Sequence, residues 1–216
     1  MDDETFQKSL NPFHVRVSDL SLTPEVRQLI EETRRGDVKA FQSLYEQYAR
    51  KVLNFCYRLT GSRDMAEEVT QETFVSVFKN IAKLKKTSRF EPWLFMIARN
   101  YVYQAFRKRK LKTVSADQTD EDDRPLVHLE SEGGTPEEQF LKGELKDVVF
   151  AIIQSLDLKY REVFVLAVLE GYPYSEVAEM VGRKVQSVKT DIHRARVKIR
   201  EQLAEYLEKG SQADAL

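Results

Sequence analysis

The stretch that most constrains the fold runs from Tyr172 to Arg200, YPYSEVAEMVGRKVQSVKTDIHRARVKIR. Val177, Ala178 and Val181 mark one face of a short helix from about Tyr174 to Val181. Gly182 follows where the chain must turn, and glycine accepts the positive φ that such a turn demands. Val185, Val188, Ile192, Ala195 and Ile199 then recur three or four residues apart, which is one apolar face of a second helix. Lys189, Thr190, His193, Arg194 and Lys198 fall off that face, and Asp191 is the only acid between Gly182 and Glu201. Two helices about a tight turn, with base concentrated on the second, have the form of a helix-turn-helix, whose second helix enters the DNA major groove. The alternative at this point is a surface helix with a solvated basic face.

The rest of the chain sets limits on that reading. Its 216 residues allow one or two domains, and 32% charged with 42% hydrophobic residues suit a soluble globular protein. The net charge of −1 means that any nucleic-acid surface is local rather than global. The single cysteine, Cys56, sits in an apolar pattern and reads as a small buried hydrophobe. No stretch reads as a signal peptide or reaches bilayer length, so a cytoplasmic protein with no membrane insertion of its own is expected.

Residues 1–22 are weakly patterned and read as a tail, with Phe13, Val15 and Val17 alternating as in a short strand. Thr23-Pro24 opens a helix that ends near Gly36. Asp37 can cap the next, with Phe41, Leu44, Tyr45, Tyr48, Val52, Phe55, Cys56 and Leu59 at helical spacing. Asp64 and Glu67 resemble a capping box for a third helix that buries Ala66, Val69, Thr73 and Val77. Its other side shows Glu68, Gln71, Glu72 and Val75, either a solvated face or a site for a basic partner. A basic loop, Lys83–Phe90, leads to a fourth helix with Pro92 in its first turn, running to about Lys110. Leu94, Ile97, Tyr101 and Ala105 are its expected core stripe. Trp93, Met96, Asn100, Tyr103 and Arg107 share a neighbouring face, where aromatics suit base stacking and cations suit phosphate.

Residues 113–134 turn acidic and glycine-bearing, which reads as a flexible linker. Thr135-Pro136 starts a second set of helices, with Leu145, Val148, Val149, Ile152 and Ile153 on one face. Asp157 can cap a further helix carrying Val163, Phe164, Leu166, Ala167 and Leu169, and 209–216 read as a polar tail. The chain is therefore expected to be all-α: two small helical domains, 23–112 and 135–208, joined by an acidic linker, the second bearing the helix-turn-helix. The histidines lie far apart, and neither a phosphate-cradling glycine loop nor a nucleophile motif is found, so no cofactor, metal or catalytic residue is expected.

Four segments, in this order, resemble the extracytoplasmic-function group of the sigma-70 family of bacterial sigma factors. They are GDVKAFQSLYEQYARKV, DMAEEVTQETFVSVF, FEPWLFMIARNYVYQAFRKRK and REVFVLAVLEGYPYSEVAEMVGRKVQSVKTDIHRARVKI. The resemblance implies a transcription initiation factor, not an enzyme, that binds core RNA polymerase at the β′ clamp coiled coil and the β flap. Asp64, Glu67, Glu68, Gln71, Glu72 and Val75 would meet the polymerase. Lys85, Lys86, Ser88, Arg89, Phe90, Trp93, Arg99, Asn100, Tyr103 and Arg107 would hold melted −10 promoter DNA, with a flipped base at Asn100. Lys184, Gln186, Ser187, Lys189, Thr190, His193, Arg194 and Arg196 would meet the −35 duplex. An anti-sigma factor that masks these surfaces is also implied. The sequence departs from the family pattern at Arg183, Lys184 and Asp191, and at Glu91-Pro92. A helix-turn-helix repressor or activator and a helical protein adaptor remain rivals, but the first leaves the Trp93–Arg107 face and the Asp64–Glu72 helix without a role.

Overall fold

The computed structural model describes residues 23–113 and 136–213, and among these every regular element is helical. The 1–22 tail with its possible strand, the acidic linker and the last three residues lie outside the described residues. Helix α1 (Pro24–Arg34) begins as its sequence dictates, with proline in the first turn and the Thr23 hydroxyl accepting from the Val26 amide at 3.4 Å. Asp37 caps α2 (Val38–Thr60), accepting from the amides of Lys39 and Ala40. Helix α3 (Arg63–Asn80) is capped by Ser62, whose Oγ accepts from the Met65 amide, and not by Asp64. The helix starts two residues earlier than the Asp64–Glu67 spacing suggests, so Asp64 lies inside the first turn and Glu67 pairs with Arg63 at 2.9 Å. Two short 3₁₀ turns, Ile81–Lys83 and Thr87–Arg89, lead into α4 (Phe90–Thr113).

The second bundle comprises α5 (Pro136–Gln154), α6 (Leu158–Phe164), α7 (Tyr174–Val181) and α8 (Val185–Ala213). A π-helical turn, Val165–Leu169, extends α6 and is closed by the Glu170 amide on the Val165 carbonyl. Helix α8 continues through residue 213, into what reads in the sequence as a tail.

Leu44, Tyr48, Val52, Phe55, Cys56 and Leu59 of α2 are buried against Ala66, Val69, Phe74 and Val77 of α3. The buried Thr70 and Thr73 hydroxyls donate to the carbonyls of Ala66 and Val69, so their burial leaves no polar group unpaired. On α4 the core stripe differs from the expected one. Leu94, Phe95, Ile97, Ala98 and Val102 are buried, while Tyr101 and Ala105 are only half-buried. The helix is covered on two sides: Phe95 meets Phe55 at 4.8 Å and, from the second bundle, Tyr172 at 5.8 Å. A single 3.6-residue stripe underestimates a helix buried twice. Leu145 and Val185, expected on apolar faces, are exposed. Val185 is the first residue of its helix, Leu145 lies midway along its own, and the fully buried positions begin at Ile152 and Val188.

The bundles meet along α2, α4, α5, α6 and α7. Tyr57 stacks on Phe150 with centroids 4.9 Å apart. Arg58 pairs with Glu170 at 2.5 Å. Burial pushes the Glu170 carboxyl up, and the Arg58 charge opposes that rise. Among the described residues no helix is long and apolar enough to cross a membrane.

Burial pushes the Cys56 thiol up to about 12. A thiol reagent at about pH 8 should therefore label native protein at least about 100-fold more slowly than guanidinium-unfolded protein, as mass spectrometry can follow. Phe95→Ala should lower the unfolding free energy in urea by about 3–5 kcal/mol, whereas Val38→Ala, on an exposed face, should change it by less than about 0.5 kcal/mol.

Candidate nucleic-acid interface

The helix-turn-helix forms where the sequence places it. Gly182 adopts φ +67°, and the chain bends there as the Arg183 amide bonds back to the Ala178 carbonyl at 3.0 Å. Val177, Ala178, Met180 and Val181 of α7 are buried together with Val188, Ile192, Ala195 and Ile199 of α8. That packing fixes the rotation of α8 and leaves Lys184, Gln186, Ser187, Lys189, Thr190, His193 and Arg194 exposed along its outer side. Arg196 is half-buried beside them. The Arg194 guanidinium reaches the Tyr160 hydroxyl at 3.4 Å. An open cleft of about 430 Å³ lies there, lined by Asp157, Tyr160, His193, Arg194, Val197 and Lys198. Asp191, the one acid on the helix before Glu201, is held by Arg183 at 2.7 Å. Its charge is thereby neutralised at the turn, leaving the outer side positive.

The first bundle carries a second cationic face. Lys85, Lys86, Ser88 and Arg89 are exposed in the loop before α4. Phe90 is fully buried, edge-on to Tyr48 at 5.3 Å, so it anchors this loop from inside and presents no surface to DNA. Trp93 is half-buried next to Phe90. Asn100 is exposed, two turns further along α4, and its side-chain oxygen accepts from Arg99 at 3.2 Å. The Arg99 guanidinium lies over the Tyr103 ring at 4.6 Å. Burial pushes the Tyr103 phenol up to about 12, so the ring stays neutral and available for stacking. Arg107 is exposed beyond it. Arg99, Asn100 and Tyr103 are thus brought together, with Trp93, Arg107 and the basic loop along the same helix.

Asp64, Glu67, Glu68, Gln71 and Val75 are exposed on α3, and Glu72 is half-buried 3.8 Å from Lys108 of α4. Val75 is 53% exposed amid acids, an apolar spot of the kind that protein interfaces cover. A cleft of about 300 Å³ opens beside this face between Ser62, Asp64, Met65, Glu68, Ala105, Lys108 and Arg109.

Sequence reasoning missed a set of residues at the junction of the bundles. Glu162 receives Arg99 at 2.5 Å and Arg183 at 2.7 Å, and Arg89 pairs with Glu179 at 3.2 Å. Arg161 and Gln154 reach the last carbonyls of α2. The available signal was the Arg161-Glu162 pair inside the apolar run REVFVLAVL, since charges at buried helical positions require partners.

Comparison with known proteins follows this division of the chain. The model of Sigma-70 region 2 matches residues 44–112, and that of Sigma-70, region 4 matches residues 147–199. The ECF RNA polymerase sigma factor SigW of Bacillus subtilis is 30% identical over 180 residues, covering 82% of this chain and 96% of that protein. The ECF RNA polymerase sigma factor SigE of Mycolicibacterium smegmatis is 32% identical over 181 residues, covering 82% and 68%. Among solved structures, sigma factor RpoE in complex with anti-sigma factor NepR from Bartonella quintana aligns with a TM-score of 0.65 at 23% identity, covering 77% of this chain and 98% of that one. CnrH in complex with the cytosolic domain of CnrY aligns with a TM-score of 0.61 at 21% identity, covering 84% and 99%; both likenesses concern the fold. Two region models in chain order on two helical bundles, and a relative matched over nearly its whole length, establish that the chain belongs to the extracytoplasmic-function group of the sigma-70 family of RNA polymerase sigma factors.

Proposed function

We propose that the two cationic faces divide promoter recognition between them, with residues 23–112 acting on the polymerase and the −10 element and residues 135–208 on the −35 element. The observation that carries this reading is that exposed base and polar groups gather on two different helices, α4 and α8, each held by its own buried stripe. On α8, Lys184, Gln186, Ser187, Lys189, Thr190, His193 and Arg194 have the reach to meet base edges and phosphates of duplex DNA in the major groove, with Arg196 beside them. On α4, Arg99, Asn100 and Tyr103 combine a cation, an amide and a neutral ring, the chemistry that holds a base out of the stack. Trp93, Arg107 and the exposed loop residues Lys85, Lys86, Ser88 and Arg89 extend that grip along the strand. Phe90 supports the loop. The acidic side of α3, from Asp64 through Glu67, Glu68, Gln71 and Glu72 to Val75, is the docking face for the β′ clamp coiled coil, and the second bundle meets the β flap. The protein works in the cytoplasm, performs no chemistry of its own and is held by an anti-sigma factor, as sigma factor RpoE is found in complex with anti-sigma factor NepR.

Mixed with active core polymerase, the protein should initiate transcription at a subset of promoters in a genomic pool; failure on every promoter would overturn the reading. Asn100→Ala should weaken discrimination at the −10 element by about 1–3 kcal/mol while sparing −35 duplex binding. Arg194→Ala should cost a similar 1–3 kcal/mol at the −35 element alone, measured by competition among promoter variants. Equal losses at both elements from each variant would refute the division of roles. Lys189→Ala should reduce the slope of log affinity against log salt by about one.

A further inference from the structure

Glu162 of α6 is 1% exposed, and its carboxylate lies between guanidiniums from different parts of the chain. Arg99 of α4 approaches it with two nitrogens, Nε at 2.5 Å from Oε2 and Nη2 at 3.4 Å from Oε1. Arg183, at the turn before α8, donates from Nη2 to Oε1 at 2.7 Å and from Nη1 to Asp191 at 2.7 Å. Four side chains of alternating sign thus run from the −10 helix, through α6, to the recognition helix. The flanking contacts between bundles are also charged: Arg58 with Glu170 at 2.5 Å and Arg89 with Glu179 at 3.2 Å. Glu91, 7% exposed, pairs with Lys51 behind them. Three of the positions at which the sequence departs from the sigma pattern, Glu91, Arg183 and Asp191, take their ion-pair partners in this region.

This closed arrangement is too small to read a promoter with both grips. Elements near −35 and −10 lie about 25 base pairs apart, about 85 Å along a duplex at 3.4 Å per step. A compact chain of this length has a radius of gyration of about 17 Å, hence a diameter of about 45 Å. In the structure, one residue from each grip side shares a single carboxylate. The bundles must part.

We propose that Glu162 is a built-in surrogate for DNA phosphate, which holds the free protein closed by occupying Arg99 and keeping the −10 face against the second bundle. The two-nitrogen approach of a guanidinium to a carboxylate is the one it offers to phosphate. Arg99 can therefore serve Glu162 or the −10 strand, but not both. Closure and promoter binding compete, and polymerase together with DNA opens the junction. This rests on the −10 role assigned to Arg99.

The test uses the full-length double variant Y57C/F150C, which replaces a stacked ring pair across the junction, outside both proposed DNA faces, while the buried Cys56 stays unreactive. A short, reducible bis-maleimide should link the two positions within one chain. The linked protein should lose promoter-dependent transcription with core polymerase and regain it when the spacer is cleaved. Adding Glu162→Gln should slow linking about tenfold, as expected when one partner of a buried charge pair is removed. Glu170→Gln, which touches no proposed DNA-contacting residue, should also slow it, and it decides the matter if the Glu162 variant fails to fold. Linking no faster than in unfolded protein, rates unchanged by both substitutions, or full activity of linked protein would each overturn the proposal. If even the cleaved protein initiates at no promoter, the assigned −10 role falls instead, and the linking rates still report on closure.

Discussion

The relative placement of the two bundles depends on where Arg161 puts its donors. A helix ends with carbonyls that have no partner within the helix, and if buried they must find donors elsewhere. The last turn of α2 is buried at the junction. Arg161 donates to the Leu59 carbonyl at 2.6 Å, and the Gln154 amide donates to the Arg58 carbonyl at 2.8 Å. The same guanidinium bonds the Gln154 side chain at 2.6 Å and the Leu156 carbonyl at 2.9 Å. One side chain thus closes the C-terminal ends of α2 and α5 together. Gly61 is required at this point twice over. Its φ is +71°, and a Cβ there would stand 2.8 Å from the Gln154 side-chain oxygen. The angle between bundles is set by directional hydrogen bonds, with the apolar contacts of Phe95 and Tyr57 filling the space beside them.

Much of this was legible in sequence, for particular reasons. The helix-turn-helix could be read nearly to the residue because α7 and α8 bury one face each and turn at a glycine in the left-handed region. The starts of α1 and α2 were legible because Thr23-Pro24 and Asp37 leave local signatures. The core of α4 was not, because its second buried side is created by residues distant in the chain, such as Tyr172 against Phe95, and no local period encodes them. The cap of α3 was not legible in the Asp64–Glu67 spacing, because the left-handed turn at Gly61 starts the helix at once and makes Ser62 the cap. Helical period alone marks Asn100, Tyr103 and Arg107 on α4 and Lys189, Thr190, His193 and Arg194 on α8, whereas the loop residues Lys85, Lys86, Ser88 and Arg89 enter through the family resemblance. Phe90, which the resemblance implies among the −10 contacts, instead has its ring in the core beside Tyr48.

The junction combines properties that suit a temporary contact. Its apolar contacts, Tyr57 on Phe150 and Phe95 on Tyr172, are interleaved with several ion pairs. An interface held by a large apolar area would leave that area exposed to water on opening, at about 25 cal/mol for each Å². Guanidiniums and carboxylates have a different alternative, since each regains hydration when the pair separates. A buried ion pair therefore contributes little net stability but much geometric selectivity, because any other alignment leaves Glu170 buried without Arg58 and Glu162 with only one of its two guanidiniums. Domain contacts of this polar kind are the ones expected to move.

The same logic explains why the recognition helix tolerates an acid. Asp191 free on the outer side of α8 would repel the phosphates that Lys189 and Arg194 attract. Bound to Arg183, it becomes part of the frame that holds the start of α8 to α6. Arg183 keeps both Glu162 and Asp191 when the bundles part, because all three belong to the second bundle. Opening therefore frees Arg99 while leaving the turn before α8 braced. The charge chain breaks at its one link between bundles, and the recognition helix enters the open state with its geometry intact.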